Sequence, residues 1–188
     1  MPSETEIASN ALTKLGAQTI TSIADDDTQR ARLCRAYYPN VRDAVLRAYP
    51  WRCATMRANL ALHADDPIGD DWDNQFLLPV LPYCLRILKV DNGDIPYTLE
   101  GRYILCNEES LYLKFIYRVT DPGLFDSLLQ EAIECRLAAE LAYPVTGSPT
   151  LIKAMWELYE AKLREARTID GMEAPLEIWE SESLVWDR

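Results

Sequence analysis

The periodicity of this chain changes twice, and that change limits its architecture more than any single residue does. Apolar positions first return every three or four residues, at Ala31, Cys34, Tyr38, Val41, Val45 and Ala48, the repeat of a helix with one buried face. The pattern then shortens. Leu85 to Val90, Tyr97 to Glu100, Tyr103 to Cys106 and Leu111 to Arg118 are brief runs rich in β-formers, separated by Asn92-Gly93, Glu100-Gly101 and Asn107 to Ser110, which predicts strands joined by turns. The last run alternates Leu111, Leu113, Phe115 and Tyr117 with Tyr112, Lys114, Ile116 and Arg118, so one face is buried and the other mixed. Helical spacing returns after Asp121 and lasts to Ala166. The expected fold is therefore α+β, mainly an α-helical bundle with an inserted small antiparallel β-meander and an extended C-terminal tail.

Local signals give the boundaries. Ser3 with Glu6 forms a capping box, Ile7, Ala11 and Leu15 share a face, and Gly16 stops that first helix. Thr19 to Ile23 is β-branched and reads as a short extended segment, and Asp25, Asp26 and Asp27 are expected at the positive end of the second helix. Pro39 should kink or interrupt that helix, and a short helical continuation is expected past Trp51 through Arg57. Asp121-Pro122 and Ser148-Pro149 each open a later helix by an N-cap followed by proline. The first of these carries Phe125, Leu128, Leu129, Ala132, Ile133, Ala139 and Ala142, a wide enough apolar arc to be central, and should end near Tyr143 at Pro144 and Gly147. Four segments follow: helices of the bundle over 1–62, an acidic loop with the β-insert over 63–120, completing helices over 121–170, and a docking tail over 171–188.

Composition bounds the function. With 188 residues, 48% of them hydrophobic, the chain can bury a core without staples. A net charge of −11 argues against holding a nucleic-acid backbone by a basic stripe. Fourteen of the nineteen basic residues are Arg, a bias suited to bidentate pairing at interfaces. Five scattered cysteines without a C-x-x-C pair read as reduced thiols. The MPSETE start has no basic and apolar leader, and no apolar run reaches membrane-span length, so the expectation is folding in a cytoplasm.

No constellation points to catalysis, and neither a cofactor nor a metal is expected. Asp65, Asp66, Asp70, Asp71 and Asp73 lack the ligand order of a calcium loop and read as a solvated loop. His63 has no nucleophile or orienting partner in a recognisable motif. Cys53 beside Arg52 could have a lowered pKa, although a buried structural thiol is the commoner case. Glu131, Glu134 and Glu140 read as solvent-facing helix charge. The tail is different. Trp179, Leu184, Val185, Trp186 and Arg188 place large apolar groups among carboxylates, with spacing too irregular for a self-sufficient amphipathic helix. Such groups either pack back on their own domain or anchor a partner.

Several blocks, in order along the chain, resemble the tail tubular protein A family, the head-to-tail adaptors of short-tailed phages and related prophages. They are Asn10-Ala11-Leu12 to Leu15-Gly16, Ile20 to Ile23 with Asp25 to Asp27, Tyr49-Pro50-Trp51, Phe76 to Pro79 with Leu85 to Leu88, Glu100-Gly101-Arg102, Val119 to Pro122, and Glu131-Ala132, Arg136-Leu137-Ala138 and Glu140-Leu141-Ala142. The closing Trp186-Asp187-Arg188 resembles the family's aromatic-to-Arg ending, while Tyr83 stands where relatives often carry an acid. The resemblance implies a non-enzymatic virion protein of the tail or neck, assembled in the bacterial host cytoplasm. It implies a ring, typically of twelve copies, between a portal protein and a tail nozzle (a tail tubular protein B-like protein), with DNA passing through the channel unread. The competing reading is a soluble cytoplasmic helical module whose Trp-containing tail recruits a partner.

Overall fold

The computed structural model describes residues 2–91 and 95–173. Four helices, α1 (Glu4–Lys14), α2 (Gln29–Ala48), α3 (Ser127–Thr146) and α4 (Pro149–Met172), flank six strands. The strands are β1 (Thr55–Leu60), β2 (Asn74–Leu77), β3 (Cys84–Val90), β4 (Thr98–Glu100), β5 (Tyr103–Cys106) and β6 (Leu111–Tyr117). The fold is α+β, as the change of period requires.

The helices begin where their caps dictate. Ser3 Oγ accepts from Glu6 N at 3.1 Å, Asp126 from Leu128 N at 3.0 Å, and Ser148 from Leu151 N at 3.4 Å, each satisfying an amide without an intrahelical partner. Gly147 closes α3 at φ 65°, its amide donating to Tyr143 O, a left-handed geometry that glycine adopts without steric cost. Asp121-Pro122 opens only the 3-10 turn Pro122–Leu124, and α3 starts one turn later on Asp126. Neither proline breaks its helix. Pro39 and Pro144 are both exposed within continuous helices, so the carbonyls they leave without donors lie on the wet side, where water can serve.

Helix α3 is the centre of the bundle and packs against α1, α2 and α4. Its buried set, which includes Leu129, Ile133, Leu137, Ala138 and Leu141, meets Ile7 and Leu12 of α1, Val41 and Val45 of α2 and Tyr159 of α4 in one core. The α2 stripe holds except at its end, where Leu46 is buried and Ala48 exposed. Trp51, 1% exposed, is among the largest buried groups, and its Nε1 donates to Val45 O at 2.9 Å.

The expected helical continuation through Arg57 is corrected. After a 3-10 turn at Arg52–Ala54 the chain becomes β1, which pairs with β6 from Thr55↔Ile116 to Leu60↔Leu111. Helix propensity in Ala-Thr-Met-Arg-Ala-Asn-Leu loses here to an open ladder edge on β6. The antiparallel insert divides into two three-stranded sheets, ordered β1-β6-β3 and β2-β5-β4. The first sheet is a partition. Ile116, Leu85 and Leu88 face the helical core, while Phe115, Leu113 and Val90 join Phe76 and Ile104 of the second sheet in a separate apolar cluster. The Asn92-Gly93 turn lies outside the described residues.

Two further expectations change. Thr19 to Ile23 forms no strand, and Asp25 to Asp27 precede the N-cap Thr28 instead of lying in the first helical turn. Asp26 braces this loop by accepting from Thr28 N at 2.8 Å and Thr21 N at 3.2 Å. Those backbone donors hold its carboxyl below the ordinary range. Arg35 Nε donates to Ile23 O at 2.8 Å and ties the same loop to α2.

Candidate functional site

The expected docking residues Trp179, Leu184, Val185, Trp186 and Arg188 lie outside the described residues. The described chain ends at Glu173, which Arg52 holds through both its carbonyl and its carboxylate. Arg52 N also donates to Asp170 Oδ1 at 3.3 Å. A cleft of about 310 Å³ opens at this root, between Arg52, Leu124, Phe125 and Ile169. Leu124, Ile169 and Met172 are exposed beside or near it, at 53%, 40% and 74%. The described chain therefore ends on a partly apolar surface.

The other sequence candidates separate by environment. Cys53 is no activated thiol, because burial pushes its pKa up to about 11 despite Arg52 next to it in sequence. All five cysteines are free. His63 follows an isolated bridge between Leu62 and Phe76. Its Nδ1 accepts from Asp65 N at 3.2 Å, and its ring lies edge-on to Tyr103. Glu134 is not solvent-facing as expected. It is 5% exposed, and its Oε1 accepts from Asn10 Nδ2 at 2.8 Å and Gln130 Nε2 at 3.0 Å, with Lys14 Nζ 3.4 Å from Oε2. These bonds tie α1 to α3. Glu131 pairs across to Lys162 of α4 at 3.2 Å.

Sequence reading missed a second site altogether. Where the bundle meets both sheets, a groove of about 540 Å³ is lined by Arg47, Arg86, Arg102 and Arg118 together with Tyr83 and Leu99. Arg47 comes from the end of α2, Arg86 from β3, Arg102 from the β4–β5 turn and Arg118 from just beyond β6. Arg102 and Arg118 stack on the Tyr83 ring, 4.2 and 4.3 Å from its centroid, an arrangement that favours a guanidinium over an ammonium.

Charge in this groove is unevenly neutralised. Arg118 reaches Asp43 at 2.7 Å, and Asp43 also meets the buried Arg42 at 2.9 Å. Arg47, Arg86 and Arg102 make no ion pair among the described residues. They donate instead to carbonyls: Arg47 to Leu85 O, Arg86 to Arg47 O at 3.0 Å, and Arg102 to Pro79 O at 2.8 Å. Arg102 Nε is shielded from solvent and has no hydrogen-bond partner, which is costly for a charged donor. Three uncompensated cations thus share one concave surface of a chain carrying −11 overall. The only histidine, His63, is not among the groove's lining residues, and the Cys84 thiol in the lining is pushed up by burial.

No family model matches the chain, and no curated protein matches it significantly.

Proposed function

We propose that this chain is a structural virion protein, a head-to-tail adaptor that forms a ring between a portal protein and a tail nozzle through which DNA passes. The reading rests on the ordered resemblance of its sequence blocks to the tail tubular protein A family. The observation that supports it best is the placing of exposed apolar groups. Seven of the eleven exposed large hydrophobic residues among those described fall between Leu62 and Leu99, and Ile68, Leu81 and Val80 are the most exposed of them. Large apolar groups left in water and concentrated in one stretch of an otherwise well-packed chain suit a region used for association. A folded scaffold with such a surface suits a subunit that completes itself against neighbours.

In this reading the bundle is the rigid body. The β-insert meets neighbouring copies or the nozzle, and the tail, with Trp179, Leu184, Val185, Trp186 and Arg188, docks on the portal. Acidic net charge suits a channel wall that must let DNA slide without sticking, because few cations are offered to its phosphates. The test is co-purification with the portal protein of the same genome, followed by counting copies in the ring by electron microscopy. A closed ring on portal is the expected result. Removing residues 174–188 should abolish portal binding and leave thermal unfolding unchanged. A truncated chain that binds portal at full affinity overturns the assignment of the tail, and a full chain that ignores portal overturns the adaptor reading.

A further inference from the structure

We infer that the arginine groove is the receptor for the acidic loop of a second copy of this chain. The loop presents Asp65, Asp66, Asp70, Asp71 and Asp73, all exposed, around Ile68, which is fully exposed at 106%. The groove presents the complementary chemistry: Arg47, Arg86 and Arg102 without carboxylate partners among the described residues, beside an apolar wall that includes Leu99, itself 49% exposed. Guanidinium groups bind carboxylates bidentately, and an isoleucine between such carboxylates needs an apolar surface to leave water.

The loop is rooted at a distance from its own groove. Asp73 N donates to Asn107 Oδ1 and Asn74 Nδ2 to Glu108 O, which roots the loop at the β5–β6 turn. The groove lies at the other end of the same strands, where Leu78 N donates to Arg102 O and Arg118 N to Tyr83 O. Within the sheet that carries the loop, β5, from Tyr103 to Cys106, separates Asn107 from Arg102 by about 16 Å at roughly 3.3 Å per residue. Gln75 Nε2 binds Asp65 O at 2.7 Å and Asp66 O at 3.3 Å, so only residues 67–72 are left free of these anchors. Six residues going out and returning reach about 10 Å. A second copy has no such limit. Loop at one end and receptor at the other is a heterologous, head-to-tail contact, which closes into a ring when its rotation permits. The inference deepens the ring reading and rests on it for its biological setting, although the contact itself can be tested without portal.

The probe is a synthetic peptide of residues 63–75, titrated into the full chain labelled with ¹⁵N. Shifts are expected at the Nε–Hε groups of Arg47, Arg86 and Arg102 and at the backbone amides of Leu85 to Ile87. Changing the five aspartates of the peptide to asparagine should weaken binding at least tenfold, as should Arg86→Glu in the protein once its circular dichroism shows it folded. Equal binding of the two peptides, or shifts located elsewhere, overturns the contact. A second measurement uses two full-length variants, R47E/R86E and D66K/D70K/D71K. Each alone should fail to self-associate in sedimentation at low ionic strength, and their mixture should recover association, because each then offers the charge the other lacks. Wild-type-like rings formed by either variant alone on portal would overturn the groove contact and leave the adaptor reading standing. Failure of the wild-type chain to bind portal would remove the adaptor reading, while the peptide titration would still decide the contact.

Discussion

In the helical half, the two charged residues that are buried find partners inside the chain: Glu134 meets Asn10, Gln130 and Lys14, and Arg42 meets Asp43. In the β half and its junction, Arg47, Arg86 and Arg102 settle for carbonyl oxygens, and most of the exposed large apolar groups stand between Leu62 and Leu99. The bundle is the part whose buried charges are satisfied within the chain. The insert carries cations without ion-pair partners among the described residues beside exposed apolar groups, a combination that suits an interface. Perturbing the first half should therefore move stability, and perturbing the second should move association.

The largest effect is expected at Trp51. It is 1% exposed and fixes the exit of α2 through its bond to Val45 O. Trp51→Ala should cost about 3–5 kcal/mol, from the cavity and the carbonyl left without a donor. The midpoint of urea unfolding measures this, and a loss below about 1 kcal/mol would mean that the bundle does not depend on this joint.

The thiols give a pH arm to the same contrast. Burial raises Cys34, Cys53 and Cys135 from 9.0 to about 11, and raises Cys84 and Cys106 of the sheets in the same direction. A folded-state pKa above the unfolded one means that the folded chain holds its proton longer. The stability concerned is full below about pH 9 and is lost as pH rises through about 11. For fully buried Cys34 and Cys135 the loss should be on the order of 2 kcal/mol each. Unfolding at pH 8 and pH 10.5 checks this, with Cys34→Ala and Cys135→Ala expected to flatten the decline. At pH 8 the native chain should resist alkylation at both positions.

Glu134 comes next. Glu134→Ala leaves the Asn10 amide and Lys14 ammonium facing a space without an acceptor, and should cost about 1–3 kcal/mol. Glu134→Gln keeps an acceptor for Asn10 and should cost less. Equal losses for the two would mean that the packing of the side chain matters here and the hydrogen bonds do not.

How far these features were legible depends on how local their causes are. Caps at Ser3 and Ser148, the stop at Gly147 and the alternation of β6 are set by residues within a few positions of each other, and all four can be read directly. β1 cannot, because Thr55 to Leu60 becomes a strand only by pairing with β6, about fifty to sixty residues later. Glu134 looks like surface charge until Asn10, 124 residues earlier, is folded against it. The groove is the extreme case. Its four arginines come from four separate segments, and the only trace they leave in the sequence is the excess of Arg over Lys.

The smallest stability effect, and the clearest contrast, comes from making one substitution twice. Ile133 on α3 is fully buried, while Ile68 in the acidic loop is fully exposed. Ile133→Ser removes a core side chain and buries a hydroxyl, and should cost several kcal/mol, about the size of the Trp51 effect. Ile68→Ser touches no packed neighbour, so its effect on unfolding should stay within about 0.5 kcal/mol. If Ile68 belongs to a surface that meets another molecule, the serine variant should instead gain solubility and lose self-association at high concentration, as light scattering would detect. A loss of stability at Ile68 comparable to that at Ile133 would show that the loop packs on its own domain, and the division of labour between the two halves would fail at that point.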